Sequence, residues 1–273
     1  MTTTSRRLSR RAVLVTLAGA IPVGSWGSGT GRAQESVRVG VLGPVVRTVT
    51  LHATLDHPQG LVANEAGTTW LVTSVLRGPK AGLLAAFRAA DGVLLQSTEV
   101  QQGLCYHPGG FSRLGDALWL PVAEYRAQST SVVQCRDVKT LALRTSFPVA
   151  DHIGAVVATS GALIGCNWDA RTFYEWTFEG RQTQAVVHPG AARYQDLAWS
   201  GDAMVAGGLL GDQGVIDTLA WPSLDLLERI VVGRTDRGVV LTQEGLALSG
   251  RQLLLMPEDD PSRVFVYEWG PRM

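Results

Sequence analysis

The chain has 273 residues and carries 24 basic and 24 acidic side chains, 45% of its residues are apolar, and only three are cysteines. The first 33 residues hold five of the arginines and no acid, so the remainder is net −5, which excludes a nucleic-acid binder relying on a positive field against phosphate. Three cysteines without a Cys-x-x-Cys or Cys-His spacing do not suggest a structural zinc site, and the expectation is that Cys105, Cys135 and Cys166 are small buried core residues, with one disulfide plus a free thiol as the alternative.

In chain order, the first element is an address. Arg6, Arg7, Arg10 and Arg11 precede a mild apolar stretch over 12–23, and Ser9-Arg10-Arg11-Ala12-Val13-Leu14 resembles the twin-arginine export motif. Gly31-Arg32-Ala33 suits a signal peptidase. The stretch is too short, and too interrupted by Gly19 and Pro22, to span a bilayer as a mature helix. Residues 1–33 are therefore expected to be a twin-arginine-type signal peptide and 34–273 a single domain. The mature protein would be periplasmic or extracellular, without stable membrane insertion. An ordinary secretory signal or an uncleaved anchor is the alternative.

The rest of the chain reads as strands grouped by five recurring segments. These are His57-Pro58-Gln59-Gly60-Leu61, His107-Pro108-Gly109-Gly110-Phe111, Asp151-His152-Ile153-Gly154-Ala155, Tyr194-Gln195-Asp196-Leu197-Ala198 and Thr242-Gln243-Glu244-Gly245-Leu246. Aligned on their third residues they step by 50, 44, 43 and 48, the period of four-stranded propeller blades. The first repeat predicts strands over 60–63, 70–75, 83–88 and 93–99, with Asp91-Gly92 as a hairpin turn. The second predicts 110–114, 118–123, 131–136 and 143–149. The third gives 153–159, 162–166, 172–177 and 182–187, and the fourth 197–199, 204–209, 216–221 and 227–232. The fifth offers only 245–248, 253–256 and 264–269 before the chain ends. A β-like segment at 45–51 supplies the missing strand, so the fold class is all-β: a five-bladed β-propeller, its ring closed by an N-terminal strand. A β-sandwich or a six-bladed ring is the competing architecture.

In an up-and-down blade the start of the first strand and the loop between the second and third strands share a face. The recurring segments would then ring one mouth of the channel with His57, Gln59, His107, Asp151, His152, Gln195, Asp196, Gln243 and Glu244. Imidazoles converging with carboxylates can hold a divalent metal ion, so His57, His107, His152, Asp196 and Glu244 are the candidate ligands. The same side chains could instead stabilise turns and blade contacts. The loops contribute Glu124-Tyr125-Arg126, Trp168-Asp169 with Arg171, Arg77 with Lys80, and Glu258-Asp259-Asp260. Tyr125 and Trp168 offer ring faces, and Arg126 and Arg171 could orient an anion. Glu124 and Asp169 are the candidate catalytic bases, and Gln59, Gln195 and Gln243 would complete a small-molecule site. A solvated hairpin would have similar residues.

The segments HPQG at 57–60, YHPGG at 106–110, PVAEYR at 121–126, DHIG at 151–154 and NWDARTFYEW at 167–176 resemble an uncharacterised family of exported bacterial and fungal proteins, a domain of unknown function. The resemblance implies a β-propeller and no particular reaction. The layout is also similar to olfactomedin-type domains and calcium-dependent nucleotidases, whose ion-ligand motifs are not matched here. The sequence thus leads to two expectations for a soluble monomer: a metal-assisted hydrolase or lyase acting on a small polar or anionic molecule, or a non-catalytic ligand- or protein-binding propeller.

Overall fold

The computed structural model describes residues 37–270, so the proposed signal peptide lies outside the described residues. Those residues form 22 strands, one 3-10 turn at Trp168–Ala170 and no α-helix, and no helix among them is long and apolar enough to cross a membrane. The strands make five antiparallel blades around a channel, the expected architecture.

Blade 1 comprises His57–Ala63, Thr69–Leu76, Ala81–Arg88 and Leu94–Glu99, from channel to rim. Blade 3 comprises Ile153–Ala158, Leu163–Asn167, Thr172–Trp176 and Gln182–Val187, and blade 4 Arg193–Ser200, Ala203–Leu210, Gln213–Ala220 and Leu226–Val232. In blade 2 the inner strand is broken into His107–Pro108 and Ser112–Leu114, followed by Ala117–Ala123, Ser131–Asp137 and Leu143–Val149. The break falls on Gly109-Gly110, where the inner strands crowd together. A β-carbon on Gly109 would run into the carbonyl oxygen of Gly154, and one on Gly110 into Oδ1 of Asp196.

Closure works as the strand count requires. Gly245–Ser249, Gln252–Met256 and Arg263–Glu268 form blade 5, and Val45–Thr50 adds its outermost strand antiparallel to Arg263–Glu268, with Val45 opposite Tyr267 and Thr50 opposite Arg263. One strand was not foreseen. Arg38–Val41 runs parallel to the rim strand of blade 4, pairing Arg38 with Glu228 and Val41 with Val231. The N-terminal segment therefore joins the rims of blades 4 and 5.

The core lies between blades. Successive residues of a strand face opposite sides, so Leu61 packs between blades 5 and 1 while its neighbour Val62 packs between blades 1 and 2. Each of the five blade interfaces has its own apolar cluster. Trp70, Phe87, Phe111, Phe173 and Trp176 are fully buried in them, each contributing about 2–3 kcal/mol of hydrophobic stabilisation. With side chains committed to the interfaces, the inner strands present backbone to the channel.

Candidate functional site at the channel mouth

The inner-strand starts and the second-to-third loops share one mouth. His57 opens the inner strand of blade 1, Glu244 directly precedes that of blade 5, and Glu258 sits in the loop between Gln252–Met256 and Arg263–Glu268. Each offers one ligand atom, and the three atoms lie within 4.8 Å of one another. His57 Nδ1 is 2.9 Å from Glu258 Oε1, and Arg77 Nη2 donates to the same oxygen at 2.5 Å. Gln243 Nε2 donates to Glu258 Oε2 at 3.5 Å, and Gln59 Nε2 to Glu244 Oε2 at 3.1 Å.

The electrostatics of this cluster turn on Glu244 and His57. Glu244 is only 5% exposed and accepts a single hydrogen bond. Burial first, and then the negative charge of Glu258, push its carboxyl well above the usual range. Burial lowers His57 despite the opposing pull of Glu258, so its imidazole is neutral and able to ligate.

Beside the cluster stands an aromatic wall. Tyr125 stacks on His107 with centroids 4.4 Å apart and planes at 14°. Tyr106 meets Tyr125 edge-on at 6.0 Å, and Trp168 meets His152 edge-on at 4.5 Å. His107 lies 6.1 Å from His57 between ring centroids. Both of its ring nitrogens are buried without a hydrogen-bond partner, and burial, reinforced by His152 and His57, lowers its pKa to about 3.

The remaining predicted residues have other engagements. His152 Nδ1 is 2.8 Å from the Arg126 carbonyl and 3.2 Å from Ser129 Oγ. Asp196 is fully buried on the channel axis, where Oδ2 accepts the amides of Leu61 and Leu246, each at 3.0 Å, and Oδ1 that of Leu197 at 2.9 Å. Desolvation raises its pKa against those amide bonds. Gln195 occupies the bulge between Tyr194 and Asp196. Glu124 accepts from the Thr130 hydroxyl at 3.0 Å, the Thr130 amide at 3.2 Å and Arg126 Nε at 3.0 Å, and the Thr130 hydroxyl leads in holding its pKa down. Arg171 spends its guanidinium on the carbonyls of Asp169, Gly190 and Ala192. Its amide and that of Thr172 cap Asn167 Oδ1 at 2.9 Å each, which fixes a loop in which Asp169 and Ala170 adopt left-handed φ of 62° and 53°. Trp168 is thereby held at the mouth, with the Asp169 side chain exposed beside it.

Glu258 was legible only as part of an acidic loop, and Tyr106 only as the first residue of the YHPGG segment. Their signal was positional: the second-to-third loop of blade 5, and the residue before a repeat motif.

The fold has solved counterparts. Glutaminyl cyclase from Myxococcus xanthus superposes with a TM-score of 0.65 at 12% identity, over 86% of this chain and 100% of that one. The PQQ-bound aldose sugar dehydrogenase from Streptomyces coelicolor gives 0.50 at 13% identity, over 82% and 97%. At such identities the likeness is one of fold. No curated protein sequence matches the chain. A family model does match it over residues 45–199, from the closing strand to the inner strand of blade 4, and the chain belongs to that family of unknown function, DUF6454.

Proposed function

We propose that the protein is an exported propeller whose channel mouth binds a divalent metal ion through His57, Glu244 and Glu258 and uses it on a small polar or anionic molecule, as a metal-assisted hydrolase or lyase. The observation that carries this reading is Glu244: a buried carboxylate with one hydrogen bond, beside a second carboxylate and a neutral imidazole. Burial favours the protonated form of this carboxyl, and a bound cation would take the place of that proton and stabilise the ionised form. The mixed N/O donor set suits zinc or manganese. Bound there, such an ion supplies Lewis-acid polarisation of an oxygen or a water of lowered pKa. The protein's own groups do the rest. Gln59 and Gln243 steady the two carboxylates, Arg77 balances Glu258, and Tyr125 and Trp168 flank the opening. Asp169 at the rim is the less committed of the two candidate bases, since Glu124 is held by Thr130 and Arg126.

The test is elemental analysis of the mature protein purified from its native compartment, beside Glu244→Gln. Stoichiometric metal that the variant lacks is expected, and would justify hydrolase and lyase screens, extended to glutaminyl peptides and aldoses because two proteins of this fold are named for them. Absence of metal from both proteins rejects the reading. A second reading, a non-catalytic ligand-binding propeller, is favoured by the aromatic wall combined with the consumption of Arg126 and Arg171 in internal bonds, which leaves recognition surfaces and few groups for chemistry.

A further inference from the structure

The other end of the channel carries a separate cavity of about 280 Å³ bordered by the distal halves of all five inner strands. Asp196 divides it from the metal-site mouth, because its carboxylate spans the axis to Leu61 and Leu246 while Gly110 presses against it.

The backbone of those strands dictates what the cavity offers. In an antiparallel strand the N–H and C=O of one residue point to the same edge. The amides of Leu61, Leu197 and Leu246 point to Asp196 on the axis. Their carbonyl oxygens therefore also face the axis, on the cavity side of the carboxylate. Their side chains are buried between blades, so the ceiling of the cavity is three acceptors from three blades. Such a tripod matches a primary ammonium group, which has three donors and one positive charge.

The outer part offers the opposite charge. Arg113, in the inner strand Ser112–Leu114 of blade 2, lines the same cavity. Its Nη1 donates to the Gly115 carbonyl at 2.7 Å and lies 3.8 Å from the exposed Glu65. Its Nε and Nη2 have no protein partner among the described residues. Trp199, half-buried with its indole N–H on the Gly201 carbonyl, supplies an apolar flank between the two ends.

We propose that this mouth is a second binding site, independent of the metal cluster, for a small zwitterion that carries an ammonium and a carboxylate at opposite ends, as an ω-amino acid does. The ammonium binds the carbonyls of Leu61, Leu197 and Leu246, and the carboxylate binds Arg113.

Isothermal titration of the mature protein with 5-aminopentanoate, pentylamine and pentanoate tests this. The zwitterion should bind, with each singly charged analogue weaker by about tenfold or more, the worth of one charge-assisted contact. Arg113→Gln should weaken the zwitterion about tenfold and leave pentylamine unchanged, Arg113→Lys should recover part of the loss, and His57→Ala should change nothing. Thermal melts confirm that the variants are folded. No saturable binding up to about 10 mM, equal binding of the three compounds, or sensitivity to His57→Ala in place of Arg113→Gln would overturn the proposal. None of these outcomes bears on the metal content at the other mouth.

Discussion

The carboxylate of Asp196 in blade 4 accepts the amide of Leu61 in blade 1 at 3.0 Å, joining inner strands 135 residues apart in sequence. The same oxygen accepts the Leu246 amide at 3.0 Å, and its partner oxygen that of Leu197. One side chain thus anchors the free channel edges of blades 1, 4 and 5, where inner strands have no further strand to pair with. It also separates the two mouths.

Removing that anchor should therefore cost stability rather than chemistry. Asp196→Ala strands three buried amides, each worth about 1–3 kcal/mol when unsatisfied, so a loss of roughly 3–6 kcal/mol is expected after some water entry. Asp196→Asn keeps one acceptor oxygen and should lose less. Urea midpoints of the two variants and the parent check this, and an Asp196→Ala midpoint equal to the parent's rejects the anchoring role.

The metal cluster makes a separate thermodynamic prediction. An ion that binds the folded chain alone stabilises it by about 2.7 kcal/mol when present at 100 times its dissociation constant. Added zinc or manganese should raise the melting temperature of the chelator-treated protein, and Glu258→Gln should lose most of that increment. A parent melting temperature indifferent to both ions would reject the cluster as a metal site.

The propeller was legible because each inner strand begins with the same physical requirement: a polar turn at the channel mouth followed by close-packed backbone. Closure by Val45–Thr50 was legible because four strands per blade leave the last blade one short. The strand Arg38–Val41 was not, since its alternating valines Val39 and Val41 stay exposed and four residues are too short a run to reveal pairing with the rim of blade 4. At the site, residue type gave charges but not partners. Arg171 reads as an anion-binding guanidinium until its loop folds back onto the carbonyls of Asp169, Gly190 and Ala192. Asp196 occupies the repeat position of a mouth residue, yet the bulge after Tyr194 carries it into the axis. Glu258 reaches His57 across 201 residues, a proximity created only when the ring closes.

The cysteines should behave as packing residues. All three are free and buried. Burial pushes the Cys166 thiol up to about 12 and raises Cys105 and Cys135 as well, leaving little thiolate at neutral pH. A chromogenic disulfide reagent should find no fast-reacting thiol in the folded protein and three after denaturation. A count of one after denaturation would reveal a disulfide and contradict this packing.

His107 ties the aromatic wall to acid stability. Its pKa is lowered to about 3 from 6.5, chiefly by burial, while Tyr125 stacks on it and His57, His152 and Trp168 surround it. Between those two values the unfolded chain takes up a proton that the folded chain refuses. Stability is then complete above about pH 6.5 and declines as pH falls towards 3, by on the order of 4 kcal/mol for this residue alone. His57 and His152 are lowered too and act in the same direction. In chelator, urea midpoints at about pH 7.5, 5.5 and 4 should therefore fall steeply for the parent and less steeply for His107→Gln. Parallel declines would mean that the imidazole is charged or solvated in the folded state, and that a ligand or water already satisfies the two ring nitrogens left without protein partners.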